Sequence, residues 1–420
     1  MSHRLCSYGI LQTEKMFKNR TESLMKLLKV RFKHPMMFED GNLTIDLYAE
    51  DKVPAEDDSV FCLGKPVYSN CILALAGINA TGKTTLLNLL GLAVNVVCGR
   101  SLSSCVSDDQ LISRIFFGTE LDVVFEQSGG LYVLHSEIGL NGRARVSMPA
   151  EAFEFTSETL YRWPGTKMPK KALLDDLNQL IEGCEVHLSR SDLQANEKSF
   201  LSNNVSVATA VADRNTPCII QPAFDVRGGA SLGFEGAWET LHAFDPSVTY
   251  LQKGDGDGYS ISFASGTAVY TPSQRGLDSI LSSGTIKGLR FVENAVAVLS
   301  QGGYLLVDEI ENHLNKQLVN VLIDLFQSSE TNPYGATLIF TTHYPEVLDR
   351  IHRKDNVYFL VRSGGEYRMN AIKYSDKVRR IENKKSEVFL SNYIGGTAPK
   401  YVDVQALRSL VKEAVAHAKD

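Results

Sequence analysis

Residues 71–85, Cys-Ile-Leu-Ala-Leu-Ala-Gly-Ile-Asn-Ala-Thr-Gly-Lys-Thr-Thr, decide the fold of this chain. The first six are apolar without interruption, which is typical of a strand that is buried on both faces of a sheet. The stretch from Gly77 to Thr85 fits the pattern G-x-x-x-x-G-K-[ST], and a leucine-rich helical pattern follows it. This order of strand, loop and helix predicts that N–H groups of the loop and of the helix N-terminus bind phosphate oxygens.

The side chains of this loop have expected roles in binding a nucleoside triphosphate. Lys83 is expected to reach the β- and γ-phosphates and Thr84 to ligate Mg²⁺, while Thr85 supports the α or β end. A chance Gly-Lys-Thr turn is the alternative, but it would not require the strand and helix that flank this one. The predicted nucleotide contacts of the loop are Gly77, Asn79, Ala80, Thr81, Gly82, Lys83, Thr84 and Thr85.

A second motif, Tyr-Leu-Leu-Val-Asp-Glu at residues 304–309, places two carboxylates at the end of an apolar strand. Ligand sites of α/β sheets lie at this end of the strands. Asp308 is expected to hold the Mg²⁺ shell, and Glu309 to orient and polarise an attacking water, because phosphoryl transfer requires a positioned nucleophile. Such a strand ending is common in structural roles when it occurs alone, and the phosphate-binding loop gives it a functional interpretation.

Two further motifs are weak alone. Leu-Ser-Ser-Gly-Thr at 281–285 precedes a helix, whose free N–H groups allow close approach to a γ-phosphate, so Ser282, Ser283, Gly284 and Thr285 are predicted nucleotide contacts. Thr-Thr-His at 341–343 closes an apolar strand, and His343 is expected to touch the γ-phosphate and report its presence. The alternatives are an ordinary loop and a structural histidine.

The rest of the chain indicates an α/β protein. Two hairpins are expected, at 28–48 and 113–147, with their turns at 39–42 and 128–130. A helix is predicted over 172–181, and a last amphipathic helix has Val404, Leu407, Val411, Ala414 and Ala418 on one face. The expected organisation is an N-terminal half of a head (1–165), a mainly helical insertion (166–265), a C-terminal half (266–375) and a helical extension (376–420).

In this order, the four motifs resemble the Walker A, signature, Walker B and H-loop set of ABC-type P-loop ATPases. Ser-Ser-Gly-Thr stands where transporters have Ser-Gly-Gly-Gln. The resemblance implies a head with a mixed sheet, flanking helices and an antiparallel β-subdomain. It also implies that the signature of one copy completes the ATP site of another, which predicts a homodimer that hydrolyses ATP with Lys83, Glu309 and His343 as catalytic residues. His313 lies at the D-loop position of that family.

Details of the motifs resemble the OLD-like and AbiL-type ATPases of prokaryotic antiphage defence. The shared patterns are G-x-N-A-x-G-K-[ST], S-S-G-T and D-E-I-E-N-x-L at 308–314. About 45 residues follow Tyr374, too few for the TOPRIM nuclease of many OLD relatives. The resemblance therefore implies a sensor or regulatory partner of a separate effector, such as a nuclease or toxin. A DNA-repair or end-binding ATPase of the RecF/SMC class is the alternative, and contact with DNA or RNA remains open.

The composition of the chain limits which other functional classes are possible. The formal net charge is -6, so no global positive field attracts nucleic acid. The seven cysteines show no zinc-site spacing, and there is no signal-peptide or membrane-spanning pattern, so we expect a cytoplasmic protein without membrane contact. The resemblance also implies a Q-loop that links the sites near the insertion boundary. Gln110 and Gln127 are weak candidates for it, and an ordinary polar surface residue is the favoured alternative for each. Lys287 and Arg290 are expected to be solvated helix charges, with contact to phosphate or DNA as the alternative.

Overall fold

Four β-sheets form the framework of the protein in a computed structural model that describes residues 25–34, 36–105, 118–140, 153–194, 201–223, 237–254, 258–363, 368–378 and 383–417. The strands are β1 Lys26–Lys33, β2 Asn42–Asp46, β3 Val60–Gly64, β4 Val67–Asn70, β5 Ile72–Ala76, β6 Thr119–Gln127, β7 Gly130–Leu140, β8 Phe153–Arg162, β9 Glu185–Ser189, β10 Cys218–Gln221, β11 Val248–Lys253, β12 Tyr259–Phe263, β13 Ala268–Thr271, β14 Tyr304–Val307, β15 Thr337–Thr342, β16 Val357–Ser363 and β17 Arg368–Lys373. The α-helices are α1 Lys83–Val97, α2 Leu102–Cys105, α3 Lys170–Leu174, α4 Leu177–Glu182, α5 Ala237–Phe244, α6 Gln274–Ile280, α7 Ser283–Leu299, α8 Lys316–Gln327, α9 Tyr374–Lys377, α10 Lys385–Leu390 and α11 Tyr401–His417.

The central sheet has the strand order β10-β14-β15-β5-β16-β17. Strand β5 lies between β15 and β16 and is parallel to both, and β14 and β10 continue the parallel pairing. Only β17, at one edge of this sheet, is antiparallel to its neighbour. The carboxyl ends of β5, β10, β14 and β15 therefore meet at one edge, where the candidate site lies.

Strand β5 is buried on both faces because helices cover each side of the central sheet. Leu73 and Leu75 belong to the same buried cluster as the leucines of α1, and Ile72 belongs to the cluster that contains Phe291 of α7 and Leu322 of α8. Burial of one such leucine stabilises the fold by about 1.5–3 kcal/mol. Strand β5 is thus buried on both faces, as its uninterrupted apolar sequence predicts.

A second six-stranded sheet, β2-β1-β6-β7-β8-β9, is antiparallel throughout. It contains both predicted hairpins, β1 with β2 and β6 with β7, although 113–117 and 141–147 lie outside the described residues. At the β6–β7 turn, Ser128 and Gly129 have φ of 51° and 80°. The expected architecture is confirmed: an α/β fold with a mixed central sheet, flanking helices and an antiparallel β-subdomain.

The segment 166–265 corrects the expectation of a mainly helical insertion. Strand β9 pairs with β8 in the antiparallel sheet, and β10 pairs with β14 in the central sheet. Helix α5 and the three-stranded sheet β11–β13 form a unit around Leu241, Val248 and Ile261, hereafter the inserted β-subdomain. Valine, isoleucine, threonine and tyrosine in these stretches favour strands, which explains the difference.

The helix predicted over 172–181 is two short helices. Helix α3 ends at Leu174, and Asp176 begins α4 by accepting a hydrogen bond from the Asn178 N–H at 2.7 Å. An aspartate side chain at this position satisfies a free N–H group at a helix start, so it favours a new helix over continuation of the old one. Leu173, Leu177 and Leu180 of the predicted apolar face are nevertheless buried together.

Helix α11 forms where the last amphipathic helix is predicted. Its apolar side chains are not covered by the described residues, since Leu407 and Val411 are 60% and 53% exposed. Residue 418 of the predicted face lies outside the described residues. Neither α11 nor any other described helix has the length and apolar character needed to cross a membrane.

Candidate nucleotide site

The loop between β5 and α1 has a backbone that only small residues permit. A Cβ atom at Gly77 would lie 2.6 Å from the Thr81 Oγ1 and 2.7 Å from the Leu360 carbonyl oxygen. Gly82 has φ of +98° and faces the Met369 sulfur, which would lie 2.6 Å from its Cβ. Because α1 begins directly after Gly82, its first N–H groups have no partner within the helix and are available to phosphate oxygens.

Lys83 lies over this loop. Its Nζ donates hydrogen bonds to the carbonyl oxygens of Gly77 (2.9 Å) and Ile78 (3.0 Å) and lies 3.2 Å from Nδ1 of His343. Burial lowers the pKa of Lys83 to about 8, although Asp308 and Glu309 partly oppose this effect. A phosphate group at this position would favour the charged ammonium, as expected for a phosphate-binding lysine.

Asp308 is buried at the carboxyl end of β14 between two hydroxyl donors. The Thr84 hydroxyl donates to its Oδ2 at 2.8 Å, and the Thr341 hydroxyl donates to its Oδ1 at 2.6 Å. A hydroxyl and a carboxylate side by side fit Mg²⁺, which binds oxygen ligands and takes few of them from the protein. Among the described residues no cluster of three or more His, Cys, Asp or Glu side chains offers another metal site.

Glu309 has a left-handed backbone, with φ of +49°, that hydrogen bonds fix on both sides. Its N–H donates to the Thr341 Oγ1 at 2.7 Å, and its carbonyl oxygen accepts from the N–H of Asn312 and from the Lys287 Nζ, each at 2.9 Å. The carboxylate Oε1 lies 3.1 Å from the His343 Nε2, and both side chains remain about one-quarter exposed. The polar end of this residue therefore faces an accessible space beside Lys83.

The signature turn begins α7. The Ser282 hydroxyl accepts a hydrogen bond from the Thr285 N–H at 3.1 Å and lies 2.7 Å from the Thr285 hydroxyl, so both residues form the helix cap. Ser282 and Ser283 are exposed, whereas Thr285 is buried. A Cβ at Gly284 would lie 2.4 Å from the His313 carbonyl oxygen. The turn thus rests on the loop after β14 and presents its serines to solvent.

Comparison with known proteins finds one family model and several solved structures. The model described as AAA domain, putative AbiEii toxin, Type IV TA system matches residues 243–349, about a quarter of the chain. This stretch contains the signature turn, Asp308, Glu309 and His343, but not the loop of Lys83. No curated protein matches the chain.

The similar solved structures have low sequence identity to this chain. The SMC head domain from Thermotoga maritima is 13% identical, with 83% of this chain and 98% of that chain covered at a TM-score of 0.38. An Smc head domain with a coiled coil and joint derived from Pyrococcus yayanosii is 8% identical, with coverages of 88% and 100% and a TM-score of 0.43. A dimeric, post-hydrolysis ATP-binding cassette bound to ADP and Pi is 11% identical, with coverages of 79% and 93% and a TM-score of 0.25. These similarities concern the fold only.

The structure brings Lys83, Thr84, Asp308, Glu309 and His343 into direct contact. The other predicted residues form two groups: Gly77, Asn79, Ala80, Thr81, Gly82 and Thr85 lie in the loop or the first turn of α1, and Ser282, Ser283, Gly284 and Thr285 lie at the start of α7. Within the described chain, the hydrogen bonds of Ser282 and Thr285 join these two residues to each other and not to the loop. Their assignment as nucleotide contacts therefore stays a prediction that requires a second copy.

Three residues of the site are missing from the sequence-based set. Gln221 ends β10 beside β14, and its carbonyl oxygen accepts the Asp308 N–H at 2.9 Å. Glu311 is buried, and its Oε1 accepts the His343 N–H at 2.7 Å. Lys287 is also buried, which corrects its interpretation as a solvated charge. The sequence signal for Gln221 is the short β-rich run Cys-Ile-Ile-Gln at 218–221, which Pro222 follows.

Gln127, one of the two weak Q-loop candidates, does not lie at this edge. Gln127 is buried at the end of β6, where its Oε1 accepts the Asp213 N–H at 2.9 Å. Gln110 lies outside the described residues. Gln221 instead occupies the strand end next to Asp308, and its Oε1 accepts a long hydrogen bond from the Asn294 Nδ2 at 3.4 Å. This hydrogen bond joins the end of β10 to helix α7.

Proposed function

We propose that this protein binds MgATP at the loop of Lys83 and hydrolyses it to ADP and phosphate, as one half of a homodimer. The main support is the contact set around Asp308 and Glu309: a phosphate-binding lysine, a metal-ligand pair and a carboxylate with a histidine partner meet at one sheet edge. Catalysis of phosphoryl transfer is mostly positioning and charge stabilisation, and these residues supply both.

The proposed reaction uses few protein groups. The loop N–H groups and Lys83 hold the β- and γ-phosphates, and Thr84 and Asp308 hold Mg²⁺, which when bound neutralises charge on the phosphates. Glu309 takes a proton from the attacking water as the water oxygen bonds to the γ-phosphorus and the bond to the ADP oxygen breaks. His343, fixed by Glu311, contacts Glu309 and the γ-phosphate.

The exposed signature turn supports the proposed homodimer. Ser282 and Ser283 stand at the N-terminus of a 17-residue helix, where N–H groups and the helix dipole favour an anion. In the proposed arrangement this end meets the γ-phosphate held by the second copy, so ATP joins the two heads. Hydrolysis then releases them, which makes the protein a switch.

We propose further that the switch is the sensor or regulatory component of a prokaryotic antiphage system in the cytoplasm, which controls a separate effector such as a nuclease or toxin. The support is the motif resemblance at 77–84, 282–285 and 308–314, together with the description of the family model matched at 243–349. The DNA-repair alternative would require a cationic surface. Lys29, Arg31 and Lys33 line one face of β1, but each has an acidic partner.

The test is the Glu309→Gln variant, which keeps the side-chain size but removes the proton acceptor. We expect kcat to fall by about 100-fold or more. ATP should stay bound, and size-exclusion chromatography with light scattering should show a dimer that persists. Glu330→Gln, the same change at an exposed position after α8, should behave as the native protein. A Glu309→Gln protein that remains monomeric with ATP would refute the dimer switch, and hydrolysis strongly stimulated by DNA would favour the alternative.

A further inference from the structure

The signature helix α7 has a direct hydrogen bond to the catalytic carboxylate residue of its own chain. Lys287, the fifth residue of this helix, is buried, and its Nζ donates to the Glu309 carbonyl oxygen at 2.9 Å. A buried ammonium is costly to desolvate, so its position here is set by this acceptor and by the nearby carboxylates. The contact lies one helical turn after the exposed serines of the signature.

The backbone of Glu309 is sensitive to that contact. A non-glycine residue with φ of +49° is strained and persists only where neighbours fix it. Thr341 in β15 and Asn312 in the loop after β14 provide two of the described hydrogen bonds to the Glu309 backbone. Lys287 provides the third. Among the described residues, α7 is therefore the helix that holds this peptide from outside the strand ends and the loop.

Helix α7 is in turn packed tightly at the same end. A Cβ at Gly288 would lie 2.2 Å from a ring carbon of Phe244 on α5, and Leu289 belongs to the core of the inserted β-subdomain. A shift of that subdomain, or of the signature turn, would therefore move Lys287. The Glu309 peptide would respond through its carbonyl oxygen.

We infer that Lys287 is a positioning residue that makes the geometry of Glu309 depend on the position of the signature helix. This inference rests on the proposed ATPase function. When α7 is seated against the ATP of the second copy, Lys287 holds the Glu309 carbonyl and the carboxylate faces the attacking water. When α7 moves, the Glu309 carbonyl loses one of its two described donors, the carboxylate is held less firmly and hydrolysis slows, while Lys287 does not contact bound ATP.

The experiment compares Lys287→Met, which removes the donor, with Lys287→Arg, which keeps one. Lys287→Met should lower kcat about 10- to 100-fold, because a misplacement near 1 Å has an effect of that size. The KM for ATP and the Kd for a fluorescent ATP analogue should stay within about two-fold, since substrate binding does not involve this residue. Lys287→Arg should recover most of the lost kcat.

Lys385→Met is the matched control. Lys385 also donates to a backbone carbonyl oxygen, that of Ile351, at 2.9 Å, and burial also lowers its pKa, but it lies in α10. Its kcat should equal that of the native protein. If Lys287→Met does not fold by circular dichroism, Lys287→Leu, which also lacks a donor, replaces it, with a kcat expected below that of Lys287→Arg at unchanged KM.

Three results would overturn the inference: a native kcat in Lys287→Met, a rise of the Kd that accounts for the loss, or an arginine variant as impaired as the methionine variant. The proposed function is tested separately by the ATP-dependent dimer of Glu309→Gln, which does not involve Lys287. If Glu309→Gln forms the ATP-dependent dimer but Lys287→Met has a native kcat, the inference about Lys287 is rejected and the proposed function is kept. A native protein without ATPase activity would reject both.

Discussion

Two buried aspartates, Asp122 in the antiparallel sheet and Asp308 in the central sheet, have the same hydrogen-bond distances and different partners. Asp122 accepts from the Arg31 Nε at 2.8 Å and lies 2.6 Å from the His135 Nδ1. Asp308 accepts from two threonine hydroxyls, also at 2.8 and 2.6 Å. The first charge is balanced by a cation of its own chain, whereas the direct partners of the second are neutral.

We propose that this difference separates a structural carboxylate from one that binds a metal. Buried charges are stable when they are paired or coordinate a metal. Asp122 has its cation permanently and contributes to the fold of the sheet. Asp308, which has hydroxyl donors and the nearby ammonium of Lys83, is suited to a divalent cation that arrives with the substrate.

The sharpest test replaces each aspartate by asparagine, and the largest effect is expected at Asp308. Asp308→Asn should lower kcat at saturating ATP by at least about 100-fold, because a metal held by one fewer carboxylate stabilises less charge in the transition state. Phosphate release measured over a Mg²⁺ titration checks this. Its melting temperature should not fall, and a native kcat at ordinary Mg²⁺ would remove Asp308 from the metal site.

Asp122→Asn should show the reverse behaviour. The change leaves the buried Arg31 without its charged partner, which should lower the free energy of unfolding by about 3 kcal/mol in urea titrations. Folded protein should retain its kcat. Asp324→Asn is the control, since the Asp324–Arg350 pair is on the surface and contributes less than about 1 kcal/mol. Equal destabilisation by both changes would contradict the distinction.

The smallest expected effect is a pH dependence of stability from the Asp122 cluster. The hydrogen bond with Asp122 raises the pKa of His135, and although burial opposes ionisation of Asp122, hydrogen bonds from His135 and Arg31 lower its pKa. The histidine contribution is complete below its unfolded pKa, about 6.5, and is lost as the pH rises through the higher folded value. The aspartate contribution is lost as the pH falls below about 4.

His135→Gln should therefore differ most from the native protein between about pH 4 and 6.5. The melting temperatures should differ there by about 1–3 °C, and the difference should decrease by pH 9. Thermal scans of both proteins in matched buffers measure it. A difference that does not change with pH would show that the imidazole charge contributes nothing.

Sequence patterns predict the parts of the site that are local in the chain. The strand, loop and helix around Lys83, the carboxylate pair at 308–309 and the strand end at His343 each have a continuous pattern. Gln221 was missed because the partner that makes β10 a core strand, β14, lies more than 80 residues further along the chain. Lys287 was misinterpreted because it is buried against the loop after β14. The apolar periodicity of its own helix gives no information about that contact.

The strand order of the central sheet has a consequence for synthesis of the chain. Strand β5 carries the phosphate-binding loop near residue 77, but both its neighbours, β15 and β16, begin only at Thr337 and Val357. A nascent chain of 300 residues thus contains the complete loop without the strands that pair with β5. Such long-range pairing forms slowly, because closing a long segment requires entropy to be lost before contacts form. The phosphate-binding loop accordingly gains the neighbouring strands that fix its position only after residue 363 has been synthesised.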